Sequence, residues 1–373
     1  MKKLLIFIGI AATIGLAFAS CSGGAGSTSG ANVVSGTAGS YQGAGSKWEA
    51  TFTTTTFVIK KFADVVTSTP DITVNGTYVE YTSGFRKLTV TSATGSGAPA
   101  PGVEAYGFEV PGFAFFLKPM GVDEEPIVML KTGSCPGGTG FAANWIIAKF
   151  DNGRTLVDTD DAFGTASFNT TTPATSVATI NRLTDVTATP MSANVVNFDY
   201  STCANAVLTF NASVGPPVEV VDMFFTSNGG ALVHSHNGTT HDSVIFAAPK
   251  HTGDVVQADL AGTYSALVFD DSSPSNKLFP AKLVIPSSGN GTANKIDDVQ
   301  LDTLTADPAI PIASFTAVSG SNGLFTAAID PTGDNGRLNC TYFSITSKKV
   351  IACNGFGSMG GGREPFFFLA RQR

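Results

Sequence analysis

The stretch Leu338–Arg371 reads LNCTYFSITSKKVIACNGFGSMGGGREPFFFLAR. It divides into a strand (LNCTYFSIT), a tight turn (SKK), a second strand (VIAC), a glycine loop (NGFGSMGGG) and a closing strand (PFFFLAR). β-Branched and aromatic runs bounded by Gly and Ser are the pattern of antiparallel strands joined by short turns. Val221–Lys250 repeats the order: VDMFFTS, then NGG, ALVHSHNG and SVIFAAPK. Ile127–Phe150 carries a fainter version, IVMLKTGSCPGGTG followed by NWIIAKF. Gly-Thr pairs at Gly76, Gly164 and Gly262 mark three openings, and IIAK, IFAAPK and FLAR mark three closings.

Working outward, the last third holds eight strand candidates: GTYSALVF, FPAKLVI, KIDDVQL, ASFTAV, GLFTAAI, LNCTYFSIT, KVIAC and PFFFLAR. The turn signals between them suit an all-β sandwich or barrel. A repeat of about 100 residues is too long for a solenoid and suits a small domain with its own core. The expected fold is all-β: two or three tandem antiparallel meander modules, over residues 47–150, 151–250 and 251–373. Closure into barrels would remove bare sheet edges. Sandwiches, or one sheet shared by all modules, are the alternatives. The Gly262-Thr263-Tyr264 opening resembles the first strand of lipocalin-like barrels, which carry Gly-x-Trp.

Charged residues make up 14% of the 373-residue chain and the net charge is −7, with no Lys/Arg run. A nucleic-acid partner is excluded on that ground. At the N-terminus, Lys2 and Lys3 precede an apolar run, Leu4–Phe18, the length of a signal-peptide core and too short to span a bilayer. FASC, ending at Cys21, resembles the lipobox of bacterial lipoproteins. The resemblance implies removal of residues 1–20, acyl chains (palmitate among them) on Cys21, and anchoring in the cell envelope at the outer membrane. Residues 21–46 are rich in Gly and Ser and read as a flexible tether.

Four cysteines remain after Cys21, and an even number in an exported chain reads as disulfides. Cys340 and Cys353 lie symmetrically about Thr346-Ser347, so a hairpin turning there would set them on facing strands. Cys135 and Cys203 pair only by elimination, or stay as two buried thiols. All four histidines fall within residues 234–251. His234 and His236, two apart, share a strand face, with His241 past a Gly turn. The three together suggest a Zn²⁺ or Cu²⁺ site, with Asp242 as a further ligand or acceptor. Asp158, Asp160 and Asp161, and Asp330 with Asp334, lie in Gly-containing loops without EF-hand spacing and read as turn residues. G-x-S-x-G, H-E-x-x-H and P-loop patterns do not occur. The resulting expectation is a non-enzymatic envelope lipoprotein with a structural, adhesive or protein-binding role. A lipocalin-like carrier of a small hydrophobic ligand is the alternative, and metal binding at the histidines a further one.

Overall fold

The computed structural model describes residues 33–43, 48–62, 69–118, 127–136, 140–151, 163–169, 171–172, 176–183, 194–212, 219–227, 229–236, 241–270, 278–330, 336–357 and 364–373. Most of them lie in antiparallel strands, gathered into three successive sheets.

The first sheet contains β1 (Val33–Val34), β2 (Gly39–Gly43), β3 (Trp48–Phe52), β4 (Thr56–Lys61), β5 (Ile72–Tyr81), β6 (Phe85–Thr94), β7 (Glu104–Val110), β8 (Ala114–Lys118) and β9 (Ile127–Lys131). From β2 onward each strand pairs with the next, and β9 returns to β2, closing an eight-stranded barrel. β1 lies beside the end of β5. The second sheet contains β10 (Phe141–Asp151), β11 (Phe163–Asn169), β12 (Ser176–Leu183), β13 (Asn194–Phe198), β14 (Val207–Ala212), β15 (Glu219–Phe225), β16 (Ala231–His236) and β17 (His241–Pro249). Here β17 returns to β10, but the described residues of β13 and β14 share no ladder, leaving a half-barrel. After a single helical turn, α1 (Gln257–Leu260), come β18 (Gly262–Asp270), β19 (Leu278–Ile285), β20 (Gly291–Asp298), β21 (Thr303–Leu304), β22 (Ile310–Ala317), β23 (Leu324–Ile329), β24 (Gly336–Ile345), β25 (Lys348–Gly357) and β26 (Glu364–Gln372). β26 returns to β18, and a second eight-stranded barrel closes, with β21 as a short extra strand on β20.

All three sheets therefore share one topology, an up-and-down meander whose first strand meets its last. The repeat seen between Val221–Lys250 and Leu338–Arg371 corresponds to the last three strands of two sheets, β15–β17 and β24–β26. Three expectations need correction. NWIIAKF does not close the first module; it is β10 and opens the second sheet by pairing with β11 and β17. The last three strands of the first sheet are instead β7–β9. The Gly-Thr pairs fall in non-equivalent strands: Gly76 in the fourth ring strand of its sheet, Gly164 in the second, Gly262 in the first. The tether is shorter than 21–46, because β1 and β2 belong to the first sheet and Tyr41 is buried in its core. Gly and Ser around it hid a strand whose content is one aromatic side chain.

Alternation explains the long apolar runs. In β8, Phe115 and Leu117 enter the interior of the first barrel, while Ala114 and Phe116 join a cluster that draws from all three sheets. Likewise Phe368 and Ala370 of β26 point into the second barrel, and Phe367 and Leu369 into the shared cluster. Strands buried on both faces read as continuous apolar stretches, not as alternation. The sheets are thus not self-contained modules. Each has an interior cluster, and a fourth cluster joins them, including Phe85 and Phe108 from the first sheet, Ile146 and Phe224 from the second, and Phe269 and Phe343 from the third.

Phe113 shows how the joint is made. It ends the turn Val110-Pro111-Gly112-Phe113 between β7 and β8, closed by Phe113 N–H donating to the Val110 carbonyl at 2.9 Å. Gly112 has φ of 76°, the position and sign a proline-led type II turn demands. The ring, fully buried, lies 4.9 Å from the Phe343 ring of the third sheet. Gly230, in the turn between β15 and β16 of the second sheet, also adjoins it: a Cβ there would come within 2.4 Å of the ring. Polar contacts cross the same seams: Ser265 Oγ donates to the Ser83 carbonyl at 2.5 Å, Thr346 Oγ1 to Pro111 at 2.8 Å, and Asn144 Nδ2 to Asn322 at 2.9 Å.

Candidate functional sites

The strands that open the three rings, β2, β10 and β18, each carry an aromatic residue: Tyr41, Trp145 and Tyr264. Each is buried in the interior cluster of its own sheet. Tyr264 Oη donates to the Leu260 carbonyl at 2.6 Å, so α1 caps the barrel through that ring. In the first barrel, Tyr41, Phe52, Phe57, Tyr78 and Phe115 form a chain of ring contacts with centroids 4.6–6.2 Å apart. These side chains fill the place where a lipocalin-like barrel would hold a ligand.

One charged group shares that interior. Arg86 is fully buried on β6, on the face that also carries Leu88 and Val90. Its Nε donates to Glu80 at 2.9 Å, and its other contacts are Glu109 and, at 2.6 Å, Thr37 Oγ1. The guanidinium lies 4.8 Å from the Tyr78 ring centroid and 5.1 Å from that of Phe52. Tyr41 Oη donates to Glu109 at 2.5 Å, and Thr37 Oγ1 donates to the same carboxylate. Burial alone would lower the Arg86 pKa; Glu109 and Glu80 outweigh it and hold the guanidinium above its ordinary value. Burial, then the neighbouring Glu109, drives the Tyr41 phenol far upward. Arg371, buried at the seam between the barrels, donates to the Gly84 carbonyl at 3.4 Å and is lowered, chiefly by burial. This network was not foreseen. Its signal was present, since Arg86 and Glu80 fall on the apolar side of their strands' alternation.

Both cysteine pairs are disulfides. Cys340 and Cys353 are register partners on β24 and β25, with Cα atoms 4.1 Å apart. Thr346 and Ser347 form the turn, with φ of 46° and 63°. Two positive φ values are what a two-residue type I′ hairpin requires, so the turn is one residue earlier than SKK. Cys135 and Cys203 join across a sequence separation of 68 with Cα atoms 6.1 Å apart. They tie the segment before β10 to the connection between β13 and β14, where the half-barrel lacks its ladder. Tyr200 Oη donates to the Pro136 carbonyl at 2.6 Å beside them, and burial pushes that phenol up to about 12.

The histidines are placed by backbone register. β15, β16 and β17 align so that Asp222 faces His234 and His236 faces Asp242. His241 is paired with Asp151 of β10. The expected gathering of His234, His236 and His241 falls on side chains outside the described ones. The fourth histidine, His251, packs its ring 4.9 Å from that of Tyr342 and donates its backbone N–H to Asn322 at 2.7 Å.

Cys21 and the leader, together with Asp158, Asp160, Asp161 and Asp334, lie outside the described residues. Asp330 has φ of 43°, the conformation of a turn residue. A cluster missed from sequence sits at the far end of the second barrel. Asp302 receives Arg373 through both carboxylate oxygens at 2.5 and 2.6 Å, and Lys282 at 3.0 Å. Burial would raise that carboxyl, but the hydrogen bonds from Arg373 and Lys282 overcome it and lower the pKa. Among the described residues no helix is long and apolar enough to cross a membrane.

No protein-family model and no curated protein matches the chain. Two solved structures show a distant likeness. One is a protein of unknown function of the DUF3598 family from Nostoc punctiforme, 9% identical, with a TM-score of 0.26, covering 62% of this chain and 96% of that one. The other is a tryptophan-to-alanine mutant of the vaccine antigen Transferrin Binding Protein B from Haemophilus parasuis. It is 10% identical, with a TM-score of 0.25, covering 88% of this chain and 65% of that one.

Proposed function

We propose that this chain is a non-enzymatic lipoprotein of the cell envelope, held by acylated Cys21 at the outer membrane, whose three joined sheets form a body for contact with another protein. The observation that carries the reading is that the described barrel interiors are occupied by the protein's own side chains. Tyr41, Phe52 and Phe115 fill the first, and Tyr264, Phe325, Phe368 and the Cys340–Cys353 disulfide the second. Interiors packed in this way favour surface recognition over carriage of a small hydrophobic molecule. The anchor rests on the FASC resemblance at Cys21.

The test is mass spectrometry of the native protein purified from its own membranes. The expected result is a chain that begins at Cys21, carries the mass of acyl chains there, and releases no other small molecule on denaturation. A hydrophobic compound released in one-to-one amount would replace this reading with the carrier. A Cys21→Ser chain that stays in the membrane fraction, processed or not, would remove the anchor.

A further inference from the structure

We propose that the excursion Leu301–Ile310, between β20 and β22 of the third sheet, is the surface by which this chain docks on another protein, one presenting an apolar groove rimmed by Lys and Arg. The proposal rests on the reading of the chain as a body for protein contact, and adds the place and the partner's chemistry. Leu301, Leu304 and Ile310 are 66%, 42% and 44% exposed, and Leu301 is the most exposed large apolar side chain among the described residues. Single apolar residues at a surface are ordinary, but three within ten residues of one loop call for a cause. The stretch, LDTLTADPAI, contains no Lys or Arg.

The loop is pinned, not collapsed onto the sheet. At its start, Ile296 and Val299 are buried in the cluster shared by the three sheets. Asp298 Oδ1 accepts from the backbone N–H groups of Gln300 at 2.7 Å and Leu301 at 3.2 Å. Asp302, with φ of 53°, is clamped by Arg373 and Lys282. Thr305 N–H then donates to the Lys295 carbonyl at 3.1 Å. A backbone fixed in this way presents Leu301 and Leu304 with little further ordering to lose on binding. Charge selects the partner. Asp297, Asp298 and Asp307 stand in or beside the loop, and among the described residues none of them forms an ion pair. Lys282 and Arg373 are already engaged by Asp302. Apolar tips among uncompensated carboxylates match an apolar groove with a basic rim and are repelled by the anionic surface of a bilayer.

The experiment places a photoreactive benzophenone amino acid in the full chain, in its own cells, in place of exposed Thr303 or, as a control, of exposed Thr51 on β3. After illumination, mass spectrometry identifies the adduct and the residue of the partner that carries it. The expected result is one protein adduct from position 303 and none from position 51, on an apolar segment flanked by Lys or Arg. Leu301→Asp and Leu304→Asp should each lower its yield about tenfold, the factor for losing one buried apolar side chain. An Asp297→Lys/Asp307→Lys variant should lower it too, with far-UV circular dichroism showing that each variant folds. An adduct to lipid, to a second copy of this chain, or to a protein whose yield ignores both leucine variants would overturn the proposal, as would no adduct from position 303. A protein adduct from position 51 alone would overturn this surface and leave the reading of protein contact standing.

Discussion

Replacing Phe113 by Ala tests whether the three sheets unfold as one body. The ring is fully buried, against both Phe343 and Gly230. Losing its burial removes roughly 2–3 kcal/mol. The hole left adds about 24 cal/mol for each Å³ that does not collapse, so on the order of 70 Å³ contributes roughly 1.7 kcal/mol more. The total, about 4 kcal/mol, is the usual size for Phe→Ala in a core. Collapse is hindered because one wall is the backbone of a paired strand end and the other a ring in a second sheet. The chain has two tryptophans, Trp48 on β3 of the first sheet and Trp145 on β10 of the second. Single-tryptophan variants therefore report each sheet separately in a denaturant titration. If the shared core couples the sheets, both reporters shift together to lower denaturant in Phe113→Ala. A shift confined to Trp48, with Trp145 unmoved, would refute the shared core as the source of cooperativity.

Arg86→Met should cost about 3–5 kcal/mol, because it leaves Glu80 and Glu109 buried without their cation. Adding Glu109→Leu and Glu80→Gln should restore much of that; purely additive losses in the titration would show that the three do not act as one network. Of the disulfides, Cys135–Cys203 closes the longer loop and should contribute about 4.4 kcal/mol by chain entropy, against about 3 kcal/mol for Cys340–Cys353; Cys→Ala pairs measured by thermal unfolding would rank them, and the reverse order would contradict the entropic account. Asp302 is held below its ordinary 3.8, so its ion pairs stabilise the fold above that pH and are lost as pH falls through the lower folded value. Stability followed from pH 5 down to 2 should therefore fall less steeply in Asp302→Asn than in the wild type; identical slopes would mean Arg373 and Lys282 do not hold the carboxylate in solution.

Strand content, turn chemistry and the hairpin disulfide were legible because they are local. Period-two alternation, Gly and Asn at turns, and two cysteines equidistant from Thr346-Ser347 need only a few residues to be read. All eight ring strands of the third sheet were foreseen for that reason. The ends of the sheets were not legible. β10 carries apolar residues on both faces, and nothing within NWIIAKF says whether it closes one sheet or opens the next. Pairing with β17, about a hundred residues later, decides it. The same held for β2, where Tyr41 is the sole strong apolar signal in a Gly/Ser stretch.

The sequence by itself determined an all-β chain, its repeated meander, its acidic balance and the lipobox-like Cys21. Tertiary structure alone decided that the modules share a core, that Arg86 sits among rings with two carboxylates, and that NWIIAKF opens the second sheet. Each of those depends on which residue of a distant strand lies opposite. A shift of one residue in that pairing would send every side chain to the other face, and no window of local sequence carries that information.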